Sequence, residues 1–419
     1  MRRGLIKEAI QLIERAPLPE LTVKRIEHLI ALHPRRTHPV PPPSSLLSAI
    51  PPVLTVDQLR KLIRQCDKGK SPGPSNLTAG HLEGLSQDQQ CMAGLVAIIQ
   101  DIASGNLSPE ATDIITSSVS VATDKTNGSE PTRDQVRPLA VPEILYKLAG
   151  MFLISSLDQY MSSLFPTIQL GCGRKNGVES ALHRTQIALE AAGEGSDTVV
   201  LSLDFRNAFN QRQRHTIANA LYRAPNTSRL WRFFNLCYGS RAAHLGIYDR
   251  GTLIHRFIND DGVRQGCPVA AFLYALSVQH IYEAAVRGIP GLEAVAIADD
   301  FTITGPALSV ARALQQLVEA CKDDGPILNF GKCKALWAYS TRHPSYQPFC
   351  DAMASYSEPI PISYDAIPLL GAGVGLGNSR ARFCNDAIQQ HSNFFAAITH
   401  LTCQSRLPCY YCVSVGSRD

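Results

Sequence analysis

The sequence predicts an α+β protein. Strand-like apolar runs, helical stretches and hairpins follow one another in mixed rather than alternating order, and no internal repeat is visible. A hydrophobic content of 45% over 419 residues is enough to bury one large core or two ordinary ones. With 18% charged residues, the composition excludes a disordered tail, a collagen and a disulfide miniprotein.

In chain order, the proline-rich stretch from Arg35 to Pro52 admits neither helix nor central strand and reads as a linker after a short N-terminal helical segment. Thr55 is placed to cap a helix through Cys66, and KGKSPGPSN (68–76) is a loop. A helix is expected from about Glu83 to Ala103. After a polar loop beyond Asp124, the spacing of Ile144, Leu145, Leu148, Phe152 and Leu153 predicts another. TVVLSLD (198–204) reads as a strand ending in an acid, residues 242–258 as a hairpin around Asp249-Arg250-Gly251, and Pro268 as the first turn of a long helix. EAVAIADDFTITG is a second hairpin with Asp299-Asp300 at its tip.

The net charge of +4 is small, but residues 1–36 hold eight basic and four acidic side chains and so carry the whole excess. The apolar runs stop far short of the ~20 residues that a membrane span needs, and Met1 to Ile10 lacks a signal-peptide core. A soluble intracellular protein, of cytoplasm or nucleus, with no membrane partner is therefore expected. Twelve scattered cysteines are expected to be reduced thiols. Cys403, Cys409 and Cys412, with His391 or His400, lack two clean ligand pairs for zinc. GAGVGLG (371–377) has Leu376 where a dinucleotide-binding turn needs its last glycine.

A carboxylate closing an apolar strand must be solvated, paired or bound to a cation. Asp204 closes one such strand, and Asp299 and Asp300 are adjacent like charges inside another apolar run. Each alone is an ordinary turn aspartate, but together they suggest two strands delivering three carboxylates to one point. Magnesium binds through a few carboxylates plus substrate phosphates, and two such ions align the oxygens of a phosphoryl transfer. The chemistry implied is nucleotidyl transfer, with Arg137 and Lys147 as candidate triphosphate partners.

These residues sit in segments that resemble reverse transcriptases. LSLDFRNAFN (201–210), GVRQGCPVAAFLYALS (262–277), AIADDFTI (296–303) and LNFGKCKALW (328–337) occur in the order of successive palm motifs of that family. RPLAVPEILYKLAG (137–150) resembles its fingers motif, and LLGAGVG (369–375) the start of its primer grip. The match is nearest to non-LTR retrotransposon polymerases and covers roughly residues 70–400. Ile297 stands where the third palm motif usually has an aromatic residue, and Cys267 where aspartate is frequent.

The resemblance implies a right-hand polymerase: fingers and palm, with an antiparallel catalytic sheet packed on helices, and a truncated helical thumb. The divisions expected are a basic helical segment (1–36), a linker (37–54), fingers and palm (55–377) and a reduced thumb or divergent tail (378–419). It implies Asp204, Asp299 and Asp300 as ligands of two Mg²⁺, or Mn²⁺, and Phe209 as a steric gate against the ribose 2′-hydroxyl. It places Gln265, Gly266 and Pro268 near the incoming nucleotide, Lys332 near the pyrophosphate as a general acid, and Arg137 and Lys147 at fingers positions. The partners implied are an RNA template, a DNA primer and dNTPs, and the basic N-terminal segment is expected to track RNA phosphates. Three readings stay open from sequence: an active RNA-directed DNA polymerase, a noncatalytic RNA-binding relic of a truncated element, and an intron maturase-like splicing factor. No endonuclease motif is evident beside the polymerase motifs.

Overall fold

The run TVVLSL becomes a strand with five of its six residues buried, which explains why it is apolar without alternation. The chain is described here from a computed structural model, over residues 21–124, 136–193, 195–239, 241–323 and 325–390. Its strands in these residues are β1 (Ser118–Asp124), β2 (Val136–Pro142), β3 (Thr198–Leu203), β4 (Ala243–Asp249), β5 (Thr252–Asn259), β6 (Glu293–Ile297), β7 (Asp300–Pro306), β8 (Lys334–Trp337), β9 (Ile362–Ser363), β10 (Ala366–Leu369) and β11 (Ala372–Gly375).

Three sheets result. The central one has the order β6-β7-β3-β8-β9, antiparallel except for the β8–β9 pair. On one face Val199, Leu201 and Leu203 meet the helices Ala270–Val286 and Ala307–Ala320 through Tyr282, Val310 and Leu314. On the other, Val200 and Leu336 pack with Leu189, Ile367 and Val374, so the β10–β11 hairpin and the helix Gly177–Glu190 cover that side. A second sheet, β2-β1-β4-β5, pairs β1 with β4 in parallel and the others antiparallel. The largest core joins helices, among them Val56–Gln65, Gln89–Ser104, Ile144–Ser155 and Ser228–Tyr238. The α+β class expected from the element order is what the chain forms.

Local chemistry explains most boundaries. Thr55 caps Val56–Gln65 through a reciprocal pair with Gln58, and Cys66 ends it. The helix expected from Glu83 to Ala103 is two helices instead, Ala79–Leu85 and Gln89–Ser104, because Asp88 accepts the Cys91 N–H and starts a new one. The long helix after Pro268 begins at Ala270, and Pro268 packs so close to Gly150 that a Cβ on that glycine would lie 2.4 Å from it. Both hairpins form where expected, at 249–252 and 297–300. The loop at 68–76 is pinned where Glu143 accepts the Ser75 N–H at 2.7 Å and its hydroxyl at 2.6 Å.

The proline-rich stretch has only one turn of 3₁₀ helix, Leu46–Ser48, yet it is packed along the body. Arg36 pairs with Asp260 and donates to the Gly239 carbonyl at 2.7 Å, while Val40 and Leu54 are buried. Upstream, the helix Val23–Ala31 lays Leu29 on Ala122, Val136 and Ile247 of the second sheet. Among the described residues no single helix is long and apolar enough to cross a membrane; Gln89–Ser104 and Pro109–Thr116 reach that length only as a pair bent by 97°. The nine cysteines in the described residues are all free thiols. Cys403, Cys409, Cys412, His391 and His400 lie outside the described residues.

Candidate active site

Asp204 follows the last residue of β3, and the β6–β7 hairpin beside it turns through Ala298 and Asp299, with Ile297 paired to Asp300. The β3–β7 register, Leu203 opposite Phe301, brings the three aspartates to one end of the central sheet. They line a cleft of about 540 Å³.

Segment 327–333 closes against the end of β3. Arg206 donates its N–H to the Ile327 carbonyl at 2.8 Å, and Asn329 donates its N–H to the Asp204 carbonyl at 2.9 Å. The Asn329 side chain donates to Asp204 Oδ2 at 2.9 Å. A buried amide therefore orients this carboxylate, and Lys332 follows on the next turn at the rim of the same cleft. Loss of hydration in the cleft, and then the nearby Asp204 charge, raise the Asp300 carboxyl above its ordinary value, while Arg137 pulls it down. Burial and then the Asp299 charge push the Tyr274 phenol well up. Phe209 stacks on Tyr274 at 5.0 Å between centroids and 17° between planes.

The opposite wall is built by β2 and the turn after Val263. Ala140 donates its N–H to the Gln265 carbonyl at 2.7 Å. Gly266 has φ +121°, and a Cβ there would lie 2.2 Å from the Ala140 carbonyl oxygen, so only glycine allows this approach. Beneath the turn, buried Arg264 donates to the Tyr146 hydroxyl at 2.9 Å and lies over the Tyr146 and Tyr238 rings. The alternation of β2 turns Arg137 outward into the cleft and buries Val136 and Pro138.

Of the residues singled out from sequence, the cleft gathers Asp204, Asp299, Asp300, Arg137, Phe209, Gln265, Gly266 and Lys332. Lys147 is not among its lining residues; it lies on Ile144–Ser155, where its charge acts on the Cys66 thiol. Sequence reading missed Asn329, and Asn207, which adopts φ +45° and donates to the Leu32 carbonyl at 2.6 Å. Leu32 itself lines the cleft. The signal for Asn329 was its place directly before the Phe-Gly-Lys turn; nothing local marked Leu32.

The donor set suits a hard cation. Three carboxylates line the cleft, burial and then the Asp204 charge raise the carboxyl of Asp300, and exposed Arg137 and Lys332 are at hand for phosphate oxygens. Among the described residues no three acidic, histidine or cysteine side chains form a ready-made metal cage. A cation here would take part of its shell from phosphate and water, as magnesium does.

A family model described as reverse transcriptase (RNA-dependent DNA polymerase) matches residues 124–360, more than half of the chain. The Retrotransposable element SLACS 132 kDa protein of Trypanosoma brucei gambiense is 27% identical over 289 residues, which is 68% of this chain. The chain spans 23% of the length of that relative.

Proposed function

The chain belongs to the reverse transcriptase family, and from this premise we propose that it is the polymerase of a non-LTR retroelement and extends a DNA primer on an RNA template with dNTPs through the cleft at the end of β3. The observation that carries the reading is convergence: residues from five separate stretches, between Arg137 and Lys332, line one cavity with carboxylates on one side and cations at its rim. In this reading the central sheet and its helices are the palm, the β2-β1-β4-β5 sheet and the helices before it are the fingers, and the helix Asn378–Gln390 begins a reduced thumb or a divergent tail.

Asp204, Asp299 and Asp300 would hold two Mg²⁺, or Mn²⁺. When bound, these ions would lower the pKa of the primer 3′-hydroxyl and offset charge on the leaving pyrophosphate. The chain's own groups place the reactants. Asn329 keeps the Asp204 carboxylate turned toward the cleft. Arg137 supplies positive charge for the triphosphate, and Lys332 stands to protonate the departing pyrophosphate oxygen. Phe209, braced by Tyr274, presents a flat wall to the sugar and excludes a 2′-hydroxyl. The Gln265-Gly266 backbone approaches the base pair being formed. A family described as RNA-dependent DNA polymerases and a retrotransposable-element relative favour this over a noncatalytic binder or a maturase.

The test is primer extension by the full chain on an RNA template with Mg²⁺ and dNTPs. Asp299→Asn removes the charge at nearly constant volume, so extension is expected to fall at least ~10²-fold with an unchanged far-UV spectrum. A variant that extends at the parent rate, or a folded parent that does not extend, overturns the reading.

A further inference from the structure

Gln169 has 0% exposure and is not among the residues lining the cleft. Its segment runs beside β6 as an added parallel partner. Ala296 donates its N–H to the Ile168 carbonyl at 2.8 Å, and Leu170 donates to the Ala296 carbonyl at 2.8 Å. This register carries the Gln169 carboxamide behind the turn that presents Asp299.

There the amide holds both backbone groups of one residue. Gln169 Oε1 accepts the Ala298 N–H at 2.8 Å and the Gly171 N–H at 3.2 Å, and Nε2 donates to the Ala298 carbonyl at 3.2 Å. The Tyr282 hydroxyl donates to that same carbonyl at 3.3 Å. Ala298 is the residue that needs holding, because its φ of +55° lies in the left-handed region that a side chain with a Cβ disfavours. Gly171 permits the close approach: a Cβ there would lie 3.1 Å from the Ala298 nitrogen and 3.2 Å from the Ile297 Cα.

We propose that Gln169 is a positioning residue of the polymerase centre, which keeps Ala298 left-handed in the turn before Asp299 and thereby aims the Asp299 carboxylate. The proposal rests on the polymerase reading for its kinetic consequence, but the grip on Ala298 is a property of the chain alone. Gln169 touches no reacting atom and acts only through the backbone of its neighbour. An apolar side chain of similar length would leave the Ala298 N–H without its partner and let the turn relax. A small displacement of a metal-binding carboxylate is enough to slow an aligned displacement by about 10²-fold.

The experiment compares the full-length parent with Gln169→Met and Gln169→Asn, and with Asp299→Asn as the control for lost chemistry. Two properties are read: single-nucleotide addition on an RNA template across a Mg²⁺ titration, and amide hydrogen exchange of the peptide containing Ala296 to Phe301 in metal-free protein. For Gln169→Met the expected result is a kcat about 10–100-fold lower, a KM for dNTP within about twofold of the parent, a higher Mg²⁺ midpoint and faster exchange at Ala298. A merely structural role would lower thermal stability and leave the Mg²⁺ midpoint and the Ala298 exchange where they were, and that result overturns the proposal. Parent-like kcat and exchange overturn it as well. Should Gln169→Met not fold, Gln169→Asn decides: its amide is one methylene too short to span both groups, and parent-like exchange there refutes the grip. If the parent itself does not extend primers, the polymerase reading fails while the exchange data still decide whether Gln169 holds the turn.

Discussion

At the scale of single residues, the cleft sets the carboxylates of Asp204, Asp299 and Asp300 against the cations Arg137 and Lys332. The Asp300 carboxyl is raised by lost hydration and by Asp204, and lowered by Arg137. A raised carboxyl takes up a proton earlier as pH falls, so a proton competes with a cation for Asp300 at a higher pH than it would at an ordinary carboxylate. Arg137→Gln removes the opposing charge, and the Asp300 carboxyl must rise further. The acid limb of the rate of nucleotide addition, measured at saturating dNTP, is therefore expected to move to higher pH in that variant. An acid limb unchanged from the parent would show that Arg137 does not act on the carboxylates. Asp204, Asp299 and Asp300 were legible because acids inside apolar runs are conspicuous. Asn329 and Gln169 were not, because an amide announces no chemistry until its partners are known.

At the scale of elements, the two walls of the cleft meet through a backbone contact that tolerates no side chain. The Gln265-Gly266 turn pairs with β2 through Ala140, and a Cβ on Gly266 would collide with the Ala140 carbonyl. Gly266→Ala is expected to cost about 2–3 kcal/mol, from strain at φ +121° plus the collision. It should lower Tm and primer extension together, and parent values of both would mean that the turn relaxes without consequence. Element types were legible where local chemistry decides them: the Thr55 cap, the strand before Asp204, and the two hairpins. The break at Asp88 falls in the polar run Ser86 to Gln90, which interrupts the apolar pattern between Leu85 and Met92 and supplies the cap. Not legible either was the close approach of Pro268 to Gly150, a contact between segments over a hundred residues apart.

At the scale of the whole molecule, the N-terminal segment is a working part of the body. Its helix covers the β2-β1-β4-β5 sheet through Leu29 and Leu32, Arg36 is anchored on Asp260 and Gly239, and the Leu32 carbonyl receives Asn207 at the edge of the cleft. Deleting residues 1–36 exposes Ala122, Val136 and Ile247 and removes two buried leucines. At about 1.5–3 kcal/mol for each large apolar side chain, the loss is on the order of 3–6 kcal/mol and is expected as a fall in Tm of roughly 3–7 °C. An unchanged Tm would show that the segment only rests on the sheet. By itself the sequence determined the α+β class, the types of most elements, and the acids and turn glycine on which the site is built, because cap chemistry, apolar periodicity and strand-end charge are local. Only the tertiary structure decided which of these residues meet. It brought Arg137 into the cleft and left Lys147 beside Cys66, laid the proline-rich stretch on the body, and set Gln169 behind the Asp299 turn. Those outcomes depend on register and on close approaches between distant segments, where a side chain's neighbours are set by packing.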